Sequence, residues 1–497
     1  MDPLFEVDLD RAAVGSRASA RSLYLQLKAA IVDRRLMPSA KLPPTREAKR
    51  IFGVSRNTAA EVYERLKSDG YIVTRHGSGT FVAAAVPASP HRPRRRVDDA
   101  PDRRLNTVWL RPDVRSAMGF WRDDSERPPS RPEFDQIDFR PAMVDSRLFP
   151  FDLFRRSMAK QLRRMEQMPA SLRSPQGNQG SFHLREAIAR HIALTRAVVC
   201  CPDDIVVTSG AQQAFDLLAR ILVTPDKTVV AVEDPGYPPM RVPFATAGAK
   251  LTAVEVDGEG LIVERLPANV GVICVTPSHQ FPLGVTMSKR RRRALVEFAR
   301  SRGAVIVEDD YDGEFRFEGT PLEALRSSDF ADVVFYVGTF SKCMLPGLRL
   351  GFVVAPDWAM STLIAAKNSM DWHCPTPIQN TVSDFITQGH LARHVRKMRQ
   401  IYRKRRQLML STFDELLGQW LEPLPSFYGM HMAALTRTSV DLDRVVDNLG
   451  RNKVKMHTLS RYHLGEQAQA GLVLSYGVVD LPEIDRGLRL LRKALSA

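Results

Sequence analysis

The sequence predicts an α/β protein with a largely parallel central sheet, preceded by a small helical head that closes in a hairpin. Three observations lead there. From about Ile137 onward, short apolar and β-branched runs alternate with helical patterns: DIVVTSG, TVVAVE, VGVICVTP, AVIVEDD, VVFYVGT and GFVVAP. Strands of that kind are buried on both faces, as in sheets whose crossovers are helices. Residues 21–82 instead read as short helices and then an alternating, glycine-punctuated stretch. Between the zones the chain turns to VPASPHRPRRRVDDAPDRR and DDSERPPSRPEFD, rich in Pro, Arg and Asp and without a sustained period, which reads as a linker. The division expected is therefore a head at 15–83, a linker at 84–135 and a large domain at 136–497. Within the linker, the WLRPDV and MGFW patches are apolar enough to dock on a neighbour.

Composition bounds the function classes. A chain of 497 residues has room for two or three domains. With 44% hydrophobic and 26% charged residues it lies in the globular range, which excludes wholesale disorder. The five cysteines form no C-x-x-C pair, and the odd count argues against a disulfide framework or a thiolate zinc site; it fits a reducing cytoplasm. MDPLFEVDLD is acidic and lacks the apolar region of a signal peptide, and no uncharged apolar run reaches the ~18 residues of a membrane span. The net charge of +15 suggests a polyanionic partner. It divides as +5 in residues 1–85, +2 in 86–135 and +8 beyond, so charge alone locates no binding face.

In the head, Leu23, Leu27, Ile31 and Leu36 make a helical stripe. Pro44-Thr45 marks the start of a second helix, TREAKRIF, with Thr45 as its cap; this helix stops at Gly53. Ser55 caps a third helix that begins RNTAAEVYERLKSDG. Two short helices joined by a tight glycine-containing turn make a helix-turn-helix. Its second helix is expected to present Arg56, Asn57 and Thr58 at the N-terminal turn, where base edges and phosphates are met. YIVTRHGSGTFV then folds back at Gly77-Ser78-Gly79 as a two-stranded wing with Arg75 and His76 at its tip. The expected DNA-contacting set is Arg46, Ser55, Arg56, Asn57, Thr58, Arg75, His76 and Gly77. Taken singly, such a pattern is also that of a generic three-helix unit with solvated arginines.

Four motifs in the large domain make chemical sense together. In VVTSGAQQAFDLLARIL, a strand ends at Ser209-Gly210 and a helix begins at Ala211-Gln212, aiming backbone N–H groups at an anion. EDPGYPP projects Tyr237 from a strand end, where it can stack on a planar ring or simply pack on the surface. VIVEDDYDGEF runs an apolar strand into Asp309 and Tyr311, and a carboxylate there needs a cationic partner such as a protonated pyridine nitrogen. A metal site is the rival, given Glu308, Asp309, Asp310, Asp312 and Glu314, but the spacing matches no calcium loop and no histidine is expected nearby. FYVGTFSKCMLPGLRLGF sets Lys342 beside Thr339 and Ser341, with Arg349 seven residues on. A desolvated lysine attacks an aldehyde as the neutral amine, and Arg grips phosphate in bidentate fashion. A ring stack, a pyridinium counter-ion, a Schiff-base lysine and a phosphate cup together describe a site for pyridoxal 5′-phosphate (PLP).

LPPTRE, FGVSRNT, YERLKSDGYI and GSGTFV resemble the winged helix-turn-helix of the GntR regulator family. Two departures are Ala48-Lys49 in place of Leu-Ala, and Ala59 in place of Val. SGAQQA, TPSHQFP, EDDYD, GTFSK and PGLRLGF resemble a fold-type I, class I/II aminotransferase. The whole is similar to the MocR subfamily of GntR regulators. The resemblance implies a homodimeric, PLP-dependent DNA-binding regulator, with a smaller C-terminal α/β subdomain completing the large domain. By it, Lys342 forms the internal aldimine, Asp309 pairs with the pyridine nitrogen and Tyr311 bonds the ring hydroxyl oxygen. Ala211, Gln212, Thr339, Ser341 and Arg349 surround the phosphate, Tyr237 stacks, and His279 and Gln280 line the same pocket. The effector is then PLP itself or an amine or amino-acid-like ligand. KRRRR at 289–293 reads as a solvated helix face. One departure bears on activity. Where the family carries an Arg for the ligand carboxylate, GLVLSYG has Val473, so ordinary amino-acid transamination is not expected; the alternative is a working aminotransferase with an accessory DNA-binding domain. Arg241 is a candidate substitute for that Arg.

Overall fold

The computed structural model describes residues 16–33, 35–75, 78–84, 106–121, 136–141, 143–169, 177–317, 323–328, 333–465 and 469–496, without the side chains of 16–19, 48, 49 and 121. The chain forms two compact units, Met1–Asp102 and Arg103–Ala497.

The first unit is built on helix Ser16–Val32, a 3-10 turn at Thr45–Glu47 that runs into Ala48–Ile51, and helix Arg56–Ser68. Strands Ile72–Arg75 and Gly79–Val82 pair antiparallel as the wing. Leu23, Leu27, Ile31 and Leu36 are all buried, against Phe52, Val62, Leu66 and Val82. Leu36 lies beyond the end of the first helix, so the last step of the expected stripe is made by the following turn. Thr45 is the first residue of the 3-10 turn rather than a cap before an α-helix; Glu47 N–H bonds Pro44 O at 2.9 Å. His76 and Gly77, expected at the wing tip, lie outside the described residues.

The second unit has an eight-stranded sheet. In spatial order its strands are Ile205–Thr208, Gly351–Val354, Val334–Thr339, Val305–Asp310, Val270–Val275, Val229–Asp234, Lys250–Asp257 and Gly260–Leu261. The five from Val334–Thr339 to Lys250–Asp257 run parallel. Gly351–Val354 is antiparallel to both neighbours, and Gly260–Leu261 is antiparallel at the edge. The apolar runs fill this sheet: Val334–Thr339 and Ile205–Thr208 are buried at every position. A second, four-stranded antiparallel sheet is ordered Leu421–Pro423, His431–Thr436, Gly471–Ser475, His457–Thr458. Helices Leu442–Arg451 and Leu481–Leu495 accompany it, and the latter packs on the 28-residue helix His390–Leu417.

Part of the linker is structured. Residues 106–121 form two short 3-10 turns around helix Pro112–Met118, and this segment packs within the second unit. The rest of 84–135 lies outside the described residues, apart from Ala84. No helix among the described residues is long and apolar enough to cross a membrane.

Candidate functional site

The carboxyl ends of the strands ending at Thr208, Asp310 and Thr339 meet at one edge of the sheet, where open α/β sheets bind ligands. A cavity of about 470 Å³ lies there. Ala211, Gln212, Tyr237, Asp309, Tyr311, Thr339, Ser341, Lys342 and Arg349 all line it, so the nine expected cofactor residues are brought together.

One end of the cavity is an anion cup. Helix Ala211–Leu222 opens from Gly210, whose φ of +78° suits glycine, and no side chain caps the first turn. Its leading amides are therefore left for an anion. A Cβ on Gly210 would sit 3.0–3.3 Å from the Arg349 guanidinium, so the missing side chain lets Arg349 close the cup. Arg349 Nη2 donates to Ser209 O at 3.1 Å, and Thr339 Oγ1 lies 3.0 Å from Ser341 Oγ. From behind, Gln213 fixes the turn: its Oε1 accepts from Ser209 N at 2.7 Å and its Nε2 donates to Asp371 at 2.8 Å.

The other end holds the ionisable groups. Asp309 is buried, and its Oδ1 has no hydrogen-bond partner among the described residues. Burial, followed by neighbouring Asp310 and Asp312, holds its carboxyl well above the usual range, with Lys342 opposing. Desolvation brings the Lys342 amine down to about 8, against the pull of Asp312 and Asp309. Tyr237 and Phe281 form the aromatic wall, rings 5.3 Å apart and edge-on.

His279 and Gln280 are not among the lining residues. His279 stands behind Tyr311, whose hydroxyl donates to His279 O at 2.9 Å and lies 2.8 Å from Nδ1. Asp312 in turn takes His279 Nδ1 at 3.0 Å, and the His431 ring lies 4.6 Å from that of His279. Histidines absent from the local sequence are thus near the acidic run in space, hydrogen-bonded within the protein. Gln280 pins the loop through Pro235 O and Phe281 O. Arg241 is buried and donates to Tyr462 O; it does not reach the cavity. Val473 is fully buried in an apolar group with Phe281, Leu459 and Tyr462. Sequence reasoning missed Arg140, Met143, Val144, Phe215, Phe281 and Pro346, which complete the lining. The first three lie in IDFRPAMVD, which carries no periodic signal; Phe215 faces the cavity from one turn inside a helix. Arg140 is held by Asp138 through bonds of 2.7–3.2 Å.

On the head, Arg46, Ser55, Arg56, Asn57 and Arg75 are exposed. Thr58 departs from the expectation. It is 8% exposed, because its backbone N–H bonds Ser55 Oγ at 3.1 Å and its hydroxyl lies 2.9 Å from the same oxygen. The residue completes the cap and is buried along with Ala59, Val62 and Leu66 of the same helix.

Residues 149–466 match the family model for aminotransferase class I and II, and residues 19–82 that for bacterial regulatory proteins of the gntR family. Among solved structures, kynurenine aminotransferase from Pyrococcus horikoshii superposes with a TM-score of 0.67 at 26% identity, covering 73% of this chain and 91% of its own. The α-aminoadipate aminotransferase LysN of Thermus thermophilus gives 0.66 at 26% identity, covering 73% and 92%. The large unit is thus an aminotransferase class I/II fold, and the protein class is that fold joined to a GntR-type reader. Over almost its whole length, the chain is 32% identical to the probable rhizopine catabolism regulatory protein MocR of Rhizobium meliloti, across 96% of this chain and 94% of the relative. It is 29% identical to the pyridoxine biosynthesis regulator PdxR of Corynebacterium glutamicum, across 90% and 89%. The chain belongs to the MocR-type GntR regulators.

Proposed function

We propose that this protein is a homodimeric DNA-binding transcriptional regulator whose large domain holds PLP and answers to a small-molecule effector. The observation that carries the reading is the cavity itself. A buried carboxylate with an unpartnered oxygen, a lysine with a lowered pKa and an anion cup share one space of about 470 Å³. These are the complements of a pyridinium nitrogen, an aldehyde and a phosphate. Bound there, PLP supplies an aldehyde that amines capture and a ring that accepts electrons. Asp309 holds the ring nitrogen protonated, and a cation beside it relieves the cost of its buried charge. Lys342 offers a neutral amine near physiological pH. Arg349, Ser341, Thr339 and the amides of Ala211 and Gln212 fix the phosphate. The head meets DNA at the first turn of its reading helix, with Asn57 on base edges and Arg56, Arg46 and Arg75 on phosphates.

The residues in and behind the wall also narrow the effector. Val473 stands where a carboxylate-binding Arg is expected, and Arg140 is already engaged by Asp138. A buried charged hydrogen bond is worth about 1.5–3 kcal/mol, so an ordinary α-amino acid lacks its main anchor. This favours PLP itself, or an amine without that carboxylate, over transamination as the function. The test is borohydride reduction with PLP and digestion, together with a DNA shift assay with and without PLP on the DNA upstream of the protein's own gene. A pyridoxyl adduct on the Lys342 peptide and a PLP-dependent shift are expected. An unmodified peptide would refute the cofactor assignment; steady conversion of amino acids to keto acids would favour an enzyme.

A further inference from the structure

The structured part of the linker sits on the wall of the cavity. Asn106 starts it, its side chain accepting from Val108 N at 3.1 Å. Pro112 opens the short helix, with Asp113 in its first turn. Val114, Ala117 and Phe120, spaced by three, are all buried, while Trp109 and Met118 of the same segment are exposed. Val114 and Ala117 rest on Val242 and Ala245 of helix Pro238–Thr246. Phe120 goes further in. Its ring meets Tyr462 at 5.2 Å, His457 at 5.4 Å and Tyr237 at 6.3 Å, all near perpendicular. His457 is the cross-strand neighbour of Val473.

Tyr237 is thus shared: its ring lines the cavity and also takes the edge of Phe120. A space of about 520 Å³ opens between Val108, Arg111 and Asp113 on one side and Gly248–Leu251 on the other. A second, of about 110 Å³, lies beside Ser116 and Arg461. Among the described residues, the buried side chains of the segment are Val114, Ala117 and Phe120, and the last touches a residue that lines the cavity.

We propose that residues 106–121 are a seat whose grip depends on what fills the cavity, with Phe120 reporting the state of Tyr237. Phe281 and Phe120 already hold the Tyr237 ring edge-on; a planar ring stacked on it adds to that hold and so favours the arrangement that receives Phe120. This deepens the reading above and rests on it, since the planar ring is that of PLP. Coupling of this kind is reciprocal: the factor by which PLP tightens the seat is the factor by which the seated Phe120 tightens PLP.

The experiment uses the full-length protein. Hydrogen exchange of peptides covering 112–121 is followed with and without PLP, and PLP affinity is titrated for wild type and Phe120→Ala. Couplings of this type are typically about five-fold or more, so slower exchange on PLP binding and a matching loss of affinity in Phe120→Ala are expected, with Phe120→Leu between. If Phe120→Ala fails to fold, Val114→Ala weakens the seat from its other end and is expected to reduce PLP affinity in the same direction. PLP binding that leaves exchange at 112–121 unchanged, or variants that bind PLP as wild type does, would overturn the proposal while leaving the cofactor reading intact. A wild-type protein that binds no PLP would overturn both.

Discussion

At Gly210 two constraints meet that any side chain would break: a left-handed φ of +78° and the guanidinium of Arg349 within 3.0–3.3 Å of a Cβ. Gly210→Ala should leave the domain folded yet weaken PLP binding by roughly ten-fold, given ~1–3 kcal/mol for a strained backbone position; a spectrophotometric titration reads it. At Lys342 the lowered pKa sets a pH dependence. The neutral amine is the reactive form, so the rate of PLP capture should climb up to about pH 8 and flatten above it. An unperturbed lysine, with its ordinary value of 10.5, would keep accelerating well past that point, and stopped-flow measurements distinguish the two. Asp309, Lys342 and Arg349 were legible in the sequence because each is a charged residue beside an apolar strand, where a plain core admits none. Arg140 was not, since it lies in a loop whose place beside the cavity depends on long-range pairing: Ile137–Asp138 adds as a parallel strand to Val454–Lys455.

At the scale of the element, the reading helix Arg56–Ser68 shows how far pattern goes. Its start at Ser55 was legible from the cap, but the cap reclaims Thr58 as a buried partner, which leaves Arg56 and Asn57 as the outward residues of its first turn. Arg56→Ala should therefore weaken operator binding and lower the salt slope by about one, the signature of one lost phosphate contact. Thr58→Ala should act differently. It removes a hydroxyl from the cap and core, so thermal stability of the head should fall, by less than the ~1 kcal/mol of a lost N-cap, while the salt slope stays as in wild type. Fluorescence anisotropy over a salt series, with a melting curve for each variant, separates them. Ala59 is fully buried in the head core, where a larger residue is usual in the family.

For the whole molecule, the cofactor proposed above would also be a folding ligand. Asp309 and Lys342 are costly to bury without it, and any ligand that binds only the native state stabilises by about 2.7 kcal/mol at one hundred times its Kd. The melting temperature should rise with PLP concentration by several degrees, and Lys342→Ala should lose most of that rise; differential scanning fluorimetry suffices. The α/β class was legible because apolar runs alternate with helical patterns from Ile137 onward, whereas the boundary between the units falls inside the expected linker, at Asp102–Arg103. The antiparallel turn of Gly351–Val354 was not, because an apolar run carries no direction.

The seated segment also sets distance. From the head to the seat the chain has 21 residues, 85–105; with the seat released, the run to the large domain is 51 residues, 85–135. At ~3.5 Å per residue, the greatest possible reach is about 75 Å in one case and about 180 Å in the other. In the dimer proposed above, the short leash would accept few separations between operator half-sites, and the long one many. Inserting base pairs between half-sites would then be tolerated or punished according to whether Phe120 is home.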